Sequence, residues 1–489
     1  MRIRRAVNAA INIATLAGGI GVGAGLVALG ITGSVWQSLV VILAVGGILG
    51  SLMSLDVAIF VLLGLALVEG IYKALAPSLL TLAAKDAVLA LIVLHLIYNS
   101  LRSHDFSWLS QRVTTPMLLF FGYVGAMVFS TSTRSLRLAL AGVRSWILWM
   151  PLYFPAYYVF NTREKALRLI RFLIAVSIPA ALYGIYQSVM GYGHLGAVGG
   201  FAAHAQWFGG RATSFFNTPH TFGGFCAIVT LLCLSQAMSP QRLGPRVVLV
   251  AIGALAAGGL VASGTRGALY GIFFGLLMLL WLARRRVLLV PIVAAGAAVA
   301  VFYLAPVAQV GAERLRESSS MRIAIARVSD PFETAIKQVS EHPLGYGVAT
   351  GAGSGRIFGD LTRQAAANEV EWVENEFGRA LTELGIPGTF FWLWTLWVTL
   401  SGMVRATRAA EDERDHYMFA GMTAAMTCVC GQLLIGSALY DPLGGSCFWL
   451  FSAATTRLVH ERQRALAAEA QRQDEDDAET GVVAGGSFR

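Results

Sequence analysis

Apolar runs of about 17–25 residues, each long enough to cross a bilayer as a helix, recur from residue 8 to residue 459. They fall at 8–29, 35–52, 55–70, 86–100, 113–130, 140–160, 170–190, 219–238, 246–263, 267–283, 287–305, 376–401, 417–439 and 443–459. In lipid every backbone N–H and C=O must be satisfied internally, so runs of this kind are helices. They are continuously apolar and do not alternate, which argues against a β-barrel. The expected fold is therefore an all-α polytopic membrane protein with about 12–14 transmembrane helices. The chain is 56% hydrophobic and 13% charged, against about 25% charged in soluble domains.

Charge sets the expected orientation. Alternate breaks hold Arg2, Arg4 and Arg5; Arg102 and Arg112; Arg163, Lys165, Arg168 and Arg171; Arg242 and Arg246; Arg284, Arg285 and Arg286; Arg405, Arg408 and Arg414. Under the positive-inside rule these breaks and both termini face the cytoplasm. Residues 1–5 are read as the flank of a retained first span, because no clear cleavage site follows. The net charge of +9 then reflects loop arginines beside anionic lipid, and nucleic acid is not an expected partner. The five cysteines all lie in apolar runs and read as small core residues. The polar tail, 461–489, is expected to be a disordered cytoplasmic segment.

The opposite breaks hold Lys73 and Lys85; Arg134, Arg137 and Arg144; Arg211; Arg266; and a charged loop over 306–375. Arginine on the outer side runs against the topology bias, and an anionic ligand there supplies a reason for it. Arg211 precedes Phe216-Asn217-Thr218-Pro219, where Pro219 suits a helix start and Asn217 or Thr218 suits its cap. A helix N-terminus beside a fixed guanidinium suits a pyrophosphate; a snorkelling interfacial arginine is the other reading. Arg266, in Ser263-Gly264-Thr265-Arg266-Gly267, lies where two spans meet with almost no loop. Glu374 and Asn375 stand where the long loop enters the next helix. A carboxylate there suits a general base for a sugar hydroxyl, with Glu371 and Glu376 competing for the role and a solvated acidic helix start as the plain alternative. His342, in His342-Pro343-Leu344-Gly345-Tyr346-Gly347, belongs to a structured turn. His194, His204 and His220 match no zinc spacing, so neither a metal nor a cofactor is expected.

Four pieces in this order, Arg211 with Phe216-Asn217-Thr218-Pro219, Ser263-Gly264-Thr265-Arg266-Gly267, His342 to Gly347, and Asn375 nine residues ahead of Gly385-Ile386-Pro387-Gly388, resemble the O-antigen ligase and O-antigen polymerase family of bacterial envelope glycosyltransferases. The resemblance spans about Gly209 to Gly388. Glu69-Gly70 with Lys73, Pro77 and Lys85-Asp86 also looks like the N-terminal part of such proteins. The resemblance implies a lipid-linked-sugar glycosyltransferase-like helical fold and chemistry at the periplasmic face of the bacterial inner membrane. The implied donor is a glycan on undecaprenyl pyrophosphate. An acceptor glycan and the lipid bilayer are the other implied partners, with chain-length regulator and export proteins beyond them.

It implies that Arg211 and Arg266 hold the pyrophosphate, with Arg322 as a further donor contact, and that Asn375, Arg379 and His342 support the site. Where the family carries a histidine-asparagine pair, this chain has Glu374-Asn375. An acidic base is known among peptidoglycan polymerases with a related helical core. The expected regions are N-terminal transmembrane helices over 1–205, the catalytic core over 206–401, C-terminal transmembrane helices over 402–460, and the tail. The expected function is polymerisation of the lipid-linked glycan for a cell-surface polysaccharide such as O-antigen or exopolysaccharide. The alternatives are a ligase passing the glycan to lipid A-core or protein, and a transporter of the lipid-linked sugar. The transporter reading lacks an internal repeat.

Overall fold

A computed structural model describes residues 54–71, 79–129, 136–191, 211–284, 321–350 and 375–484. The expected spans at 8–29, 35–52 and 287–305 lie outside the described residues, as do Glu371, Glu374, Arg356, His194 and His204. In chain order the helices are α1 Leu55–Leu67, α2 Leu79–Ser103, α3 Thr114–Ala126, α4 Leu136–Ile147, α5 Tyr153–Val159, α6 Arg163–Met190, α7 Pro219–Met238, α8 Leu243–Ser263, α9 Arg266–Leu282, α10 Met321–Glu341, α11 Glu376–Ala409, α12 Glu413–Gln432 and α13 Pro442–Ala484. No strand occurs among the described residues. By length and composition, α6, α7, α8 and the Lys85–Ser103 part of α2 are able to cross a membrane; α1, α3 and α9 are apolar but shorter.

The bundle is built around α7. Nearly all of its residues are buried, so its apolar surface runs round the whole helix, as befits a helix enclosed by others. It packs against α8, α9, α12 and α6. Alongside it, α9 presses Gly271 and Gly275 onto the α12 backbone. A Cβ at Gly271 would lie 2.6 Å from the Cys428 carbonyl oxygen, and one at Gly275 would lie 2.9 Å from that of Ala424. Small residues spaced four apart are how membrane helices approach this closely.

Two expected spans are broken. At 140–160 the chain forms α4, a 3₁₀ turn at Met150–Leu152, and α5. Pro151 cannot donate a helical hydrogen bond, and Arg144, Ser145 and Trp146 stay at the polar end of the bundle. The span at 376–401 is interrupted at Gly385, whose backbone is φ 63°, ψ −165°. This leaves a half-helix, 376–384, ahead of the break.

The break is where two of the sequence motifs cross. Ile386 N–H donates to the Pro343 carbonyl (2.9 Å), Gly347 N–H to that of Glu383 (3.0 Å) and Tyr346 N–H to that of Thr382 (2.9 Å). The hydroxyl of Tyr123 on α3 sits between the Leu344 and Leu384 carbonyls, 3.0 and 2.9 Å away. Gly345, at φ 86°, faces Gly385 across this crossing. A Cβ on Gly385 would lie 2.4 Å from both Gly345 N and Leu344 C, and its backbone region is essentially closed to other residues, at about 1–3 kcal/mol. Gly385→Ala is therefore predicted to lower the melting temperature in detergent, while Gly402→Ala, with open space around its Cβ, leaves it at or above wild type. Equal melting of both variants would show that the crossing does not hold the fold.

The breaks that the sequence assigns to the cytoplasm meet at one end of the bundle. There Lys165 pairs with Asp56 (3.3 Å), Arg163 with Asp415 (3.0 Å) and Arg462 with Glu411 (2.5 Å). Arg284 donates to the Ala410 carbonyl (2.6 Å), and the His416 ring bridges the Thr407 and Leu282 carbonyls. The tail differs from expectation: α13 continues through the polar residues to Ala484. Alanine, glutamate, glutamine and arginine are strong helix formers, and Glu461 pairs one turn along with Arg457 and Arg464, which supports a solvated helix. The charged loop also contains regular structure. α10 packs on α11, with Thr382 Oγ1 donating to Gln338 Oε1 (2.7 Å). The cysteines sit in α7, α12 and α13, all buried except Cys430, which is partly buried.

Candidate active site

At the other end of the bundle the two arginine-bearing turns come together. Thr218 is the N-cap of α7; its hydroxyl accepts from Thr221 N–H (3.1 Å), and Pro219 occupies the first helical position. The next turn is set by Gly264, which closes α8 in the left-handed region at φ 57°. Two residues later Arg266 begins α9. The two turns are tied by Thr265 Oγ1 donating to the Pro219 carbonyl (3.0 Å) and by Ala212 N–H donating to that of Ala262 (3.4 Å). The Arg211 side chain lies over the second turn: a Cβ on Gly264 would meet Arg211 Cδ at 3.5 Å. The N-termini of α7 and α9 thus lie side by side, with Arg211 packed on the turn that leads into α9 and Arg266 as the first residue of α9. Unpaired N–H groups, helix dipoles and fixed cations all favour an anion.

His220, on the first turn of α7, lies beside both turns. A Cβ on Gly267 would lie 3.2 Å from its ring and one on Gly436 would lie 2.9 Å away, and its Nε2 has no hydrogen-bond partner among the described residues. With Thr221, Gln432 and Asp441 it lines a cavity of about 10 Å³.

The start of α11 forms the third side. Asn375 is its N-cap, and its Oδ1 accepts from Gly378 N–H (2.6 Å). Asn375 is 1% exposed, and its Nδ2 has no hydrogen-bond partner among the described residues. Glu376 is turned into the protein, with Leu439 N–H donating to its Oε2 (3.3 Å) and its own N–H donating to the Leu433 carbonyl (3.1 Å). Of the three competing carboxylates, Glu376 is thus built into the wall, while Glu371 and Glu374 lie outside the described residues. Arg379 is also committed internally. It pairs with Glu383 (3.0 Å), donates to Ser145 Oγ (2.5 Å) and stacks on Trp146 (4.6 Å). These partners build its side chain into the wall. His342 is exposed and rests on Tyr346, with ring centroids 4.1 Å apart. Arg322 lies on α10, and its side chain is outside the described residues.

Several charged residues at this end were not singled out from the sequence as a site. Asp441 caps α13: Leu443 N–H donates to its Oδ1 (3.1 Å), and Thr221 donates its hydroxyl to Oδ2. Burial pushes its carboxyl up to about 6, with the Thr221 hydrogen bond opposing. Its signal was available, since a lone acid before proline between two apolar runs marks both a cap and a costly charge. Arg144 holds Asp86 through two hydrogen bonds (2.6 and 2.9 Å), and Lys85 pairs with buried Glu69. The outer-face arginine at 144 is therefore explained by a carboxylate on α2.

Among curated proteins, none matches this chain. The family model described as O-antigen ligase matches residues 248–393, a stretch that runs from α8 through α9 and α10 into α11 and so includes Arg266, His342, Asn375 and the crossing at Gly385. Residues 248–393 are thus similar to an O-antigen ligase domain, and this likeness, with the apolar helices, supports a membrane enzyme of O-antigen or polysaccharide assembly.

Proposed function

We propose that the protein polymerises glycan units carried on undecaprenyl pyrophosphate, working at the periplasmic face without a metal. The observation that carries this reading is the packing of Arg211 on the turn that leads into Arg266, beside the paired N-termini of α7 and α9. A pyrophosphate leaving group needs such a place, where the charge developing on it meets donors already fixed in position.

In the proposed reaction the hydroxyl oxygen of the acceptor sugar attacks the anomeric carbon of the donor glycan. Its proton passes to the Glu374 carboxylate as the new C–O bond forms. The bond from that carbon to the phosphate oxygen breaks, and undecaprenyl pyrophosphate leaves against Arg211 and Arg266. Glu374 is favoured over Glu376 because the Glu376 carboxylate is 3% exposed and occupied by Leu439 N–H. The periplasmic assignment rests on the positive-inside rule: the arginine-rich breaks gather at the end of the bundle opposite this site.

The test is turnover by purified protein in liposomes given a lipid-linked repeat unit. Polymerase activity appears as longer glycan on the same carrier. If glycan leaves the carrier only when lipid A-core or a protein acceptor is added, the enzyme is a ligase. Movement of the carrier across the bilayer with the glycan unchanged would make it a transporter.

A further inference from the structure

The half-helix 376–384 has a mechanical problem. It opens on Asn375, one residue after Glu374, yet Gly385 disconnects it from the rest of α11. Helix continuity therefore does not fix its direction, and something else must.

One carboxylate is placed to do this. Glu383 is fully buried (0% exposed) and is reached from three parts of the chain. Its Oε2 accepts from Trp146 Nε1 on α4 (2.7 Å) and from Ala349 N–H in the turn after α10 (3.2 Å). Its Oε1 accepts from Arg379 Nε one turn back (3.0 Å). Arg379 closes the loop by donating to Ser145 Oγ and lying over Trp146. The neighbouring backbone repeats the connection, since the Glu383 carbonyl accepts from Gly347 N–H. The half-helix is thus locked to α4 on one side and to the His342–Thr350 segment on the other. The eight residues from Asn375 to Glu383 put the clamp about 12 Å along the helix axis from the N-cap. That is too far for Glu383 to touch a group held at the N-cap.

We infer that Glu383 is a positioning residue: through Trp146, Ala349 and Arg379 it sets the angle and depth at which the half-helix presents its N-cap, Asn375, to the donor glycan. The inference rests on the function proposed above and adds to it the residue that aims the N-cap end of the half-helix. A small rotation at the clamp is carried along the rigid half-helix to its tip, and a displacement of about 1 Å at a reacting group costs about 100-fold in rate.

The test compares Glu383→Gln and Trp146→Phe with wild type in liposomes, separating kcat from the donor KM. It adds hydrogen–deuterium exchange on the same full-length proteins. Glu383→Gln should lower kcat about 100-fold with the donor KM within about 2-fold. Trp146→Phe keeps the ring and removes one donor, and should lower kcat about 10-fold. Glu383→Asp, which keeps the charge, should recover part of the loss. Amides of 376–384 and 347–350 should exchange faster, with α7, α8 and α9 unchanged.

If Glu383→Gln fails to fold, Trp146→Phe decides the question. Wild-type kcat and wild-type exchange in Trp146→Phe would overturn the inference. So would a raised donor KM at unchanged kcat, which would place Glu383 in donor binding. If wild type transfers no glycan at all, it is the proposed function that has failed, and the exchange pattern alone then confirms or overturns the clamp.

Discussion

Glu374→Ala is expected to lower glycan transfer by about 10²–10⁴-fold, the usual worth of a general base, and to leave the donor KM near wild type. The reason is the order of residues at the α11 junction. Asn375 is consumed as the cap and Glu376 is consumed by Leu439 N–H, which leaves position 374 as the acidic side chain next outside the helix. The pH profile separates a base from a merely structural carboxylate. A base must be deprotonated to act, so activity rises with pH through its pKa. Glu374→His should restore part of the rate and move that rising limb toward about 6.5, the ordinary imidazole value. Measured as kcat/KM against pH in liposomes, an unmoved limb in Glu374→His would remove Glu374 from the role. A wild-type rate in Glu374→Ala would do the same.

How much of this was legible in the sequence depends on whether the signal is local. The α7 limits could be read almost to the residue, because Thr218-Pro219 is a cap followed by the one helical position where proline costs nothing. Arg211 and Arg266 could each be suspected from charge on the wrong side of the membrane. That they meet could not be read, since it depends on the Gly264 turn lying under a side chain more than fifty residues earlier. The motif of residues 342–347 and the Gly385–Gly388 motif were visible as separate signatures. Their crossing, Gly345 against Gly385, is a tertiary fact.

The broken span at 140–160 looked continuous because tryptophan, tyrosine and methionine are apolar whether or not the helix runs through. How Arg379 supports the site could not be read from the sequence, because two of its partners, Ser145 and Trp146, come from another helix. The tail looked disordered because composition reports solvation. Its composition is equally that of a solvated helix, and the structure has the helix.

Arg266→Ala is expected to reduce kcat by about 10²–10³-fold, the cost of removing one donor from a preorganised charge-stabilising site. Its effect on stability should run the other way. Arg266 is the first residue of α9, where the helix dipole opposes a cation by about 0.3–1 kcal/mol. A residue kept there for structure would lower the melting temperature when removed. One kept for an anionic substrate should lose activity far out of proportion to any change in melting temperature. Arg266→Lys should recover only part of the rate, because an ammonium cannot make the paired hydrogen bonds of a guanidinium to phosphate oxygens. Arg211→Ala should resemble Arg266→Ala, and the double variant should fall well short of the product of the two losses, since both groups act on one leaving group. The measurement is single-turnover transfer beside a thermal melt for all four variants. Independent, fully multiplicative losses would mean that the two arginines serve different steps, and a wild-type rate in Arg266→Ala would remove it from the reaction.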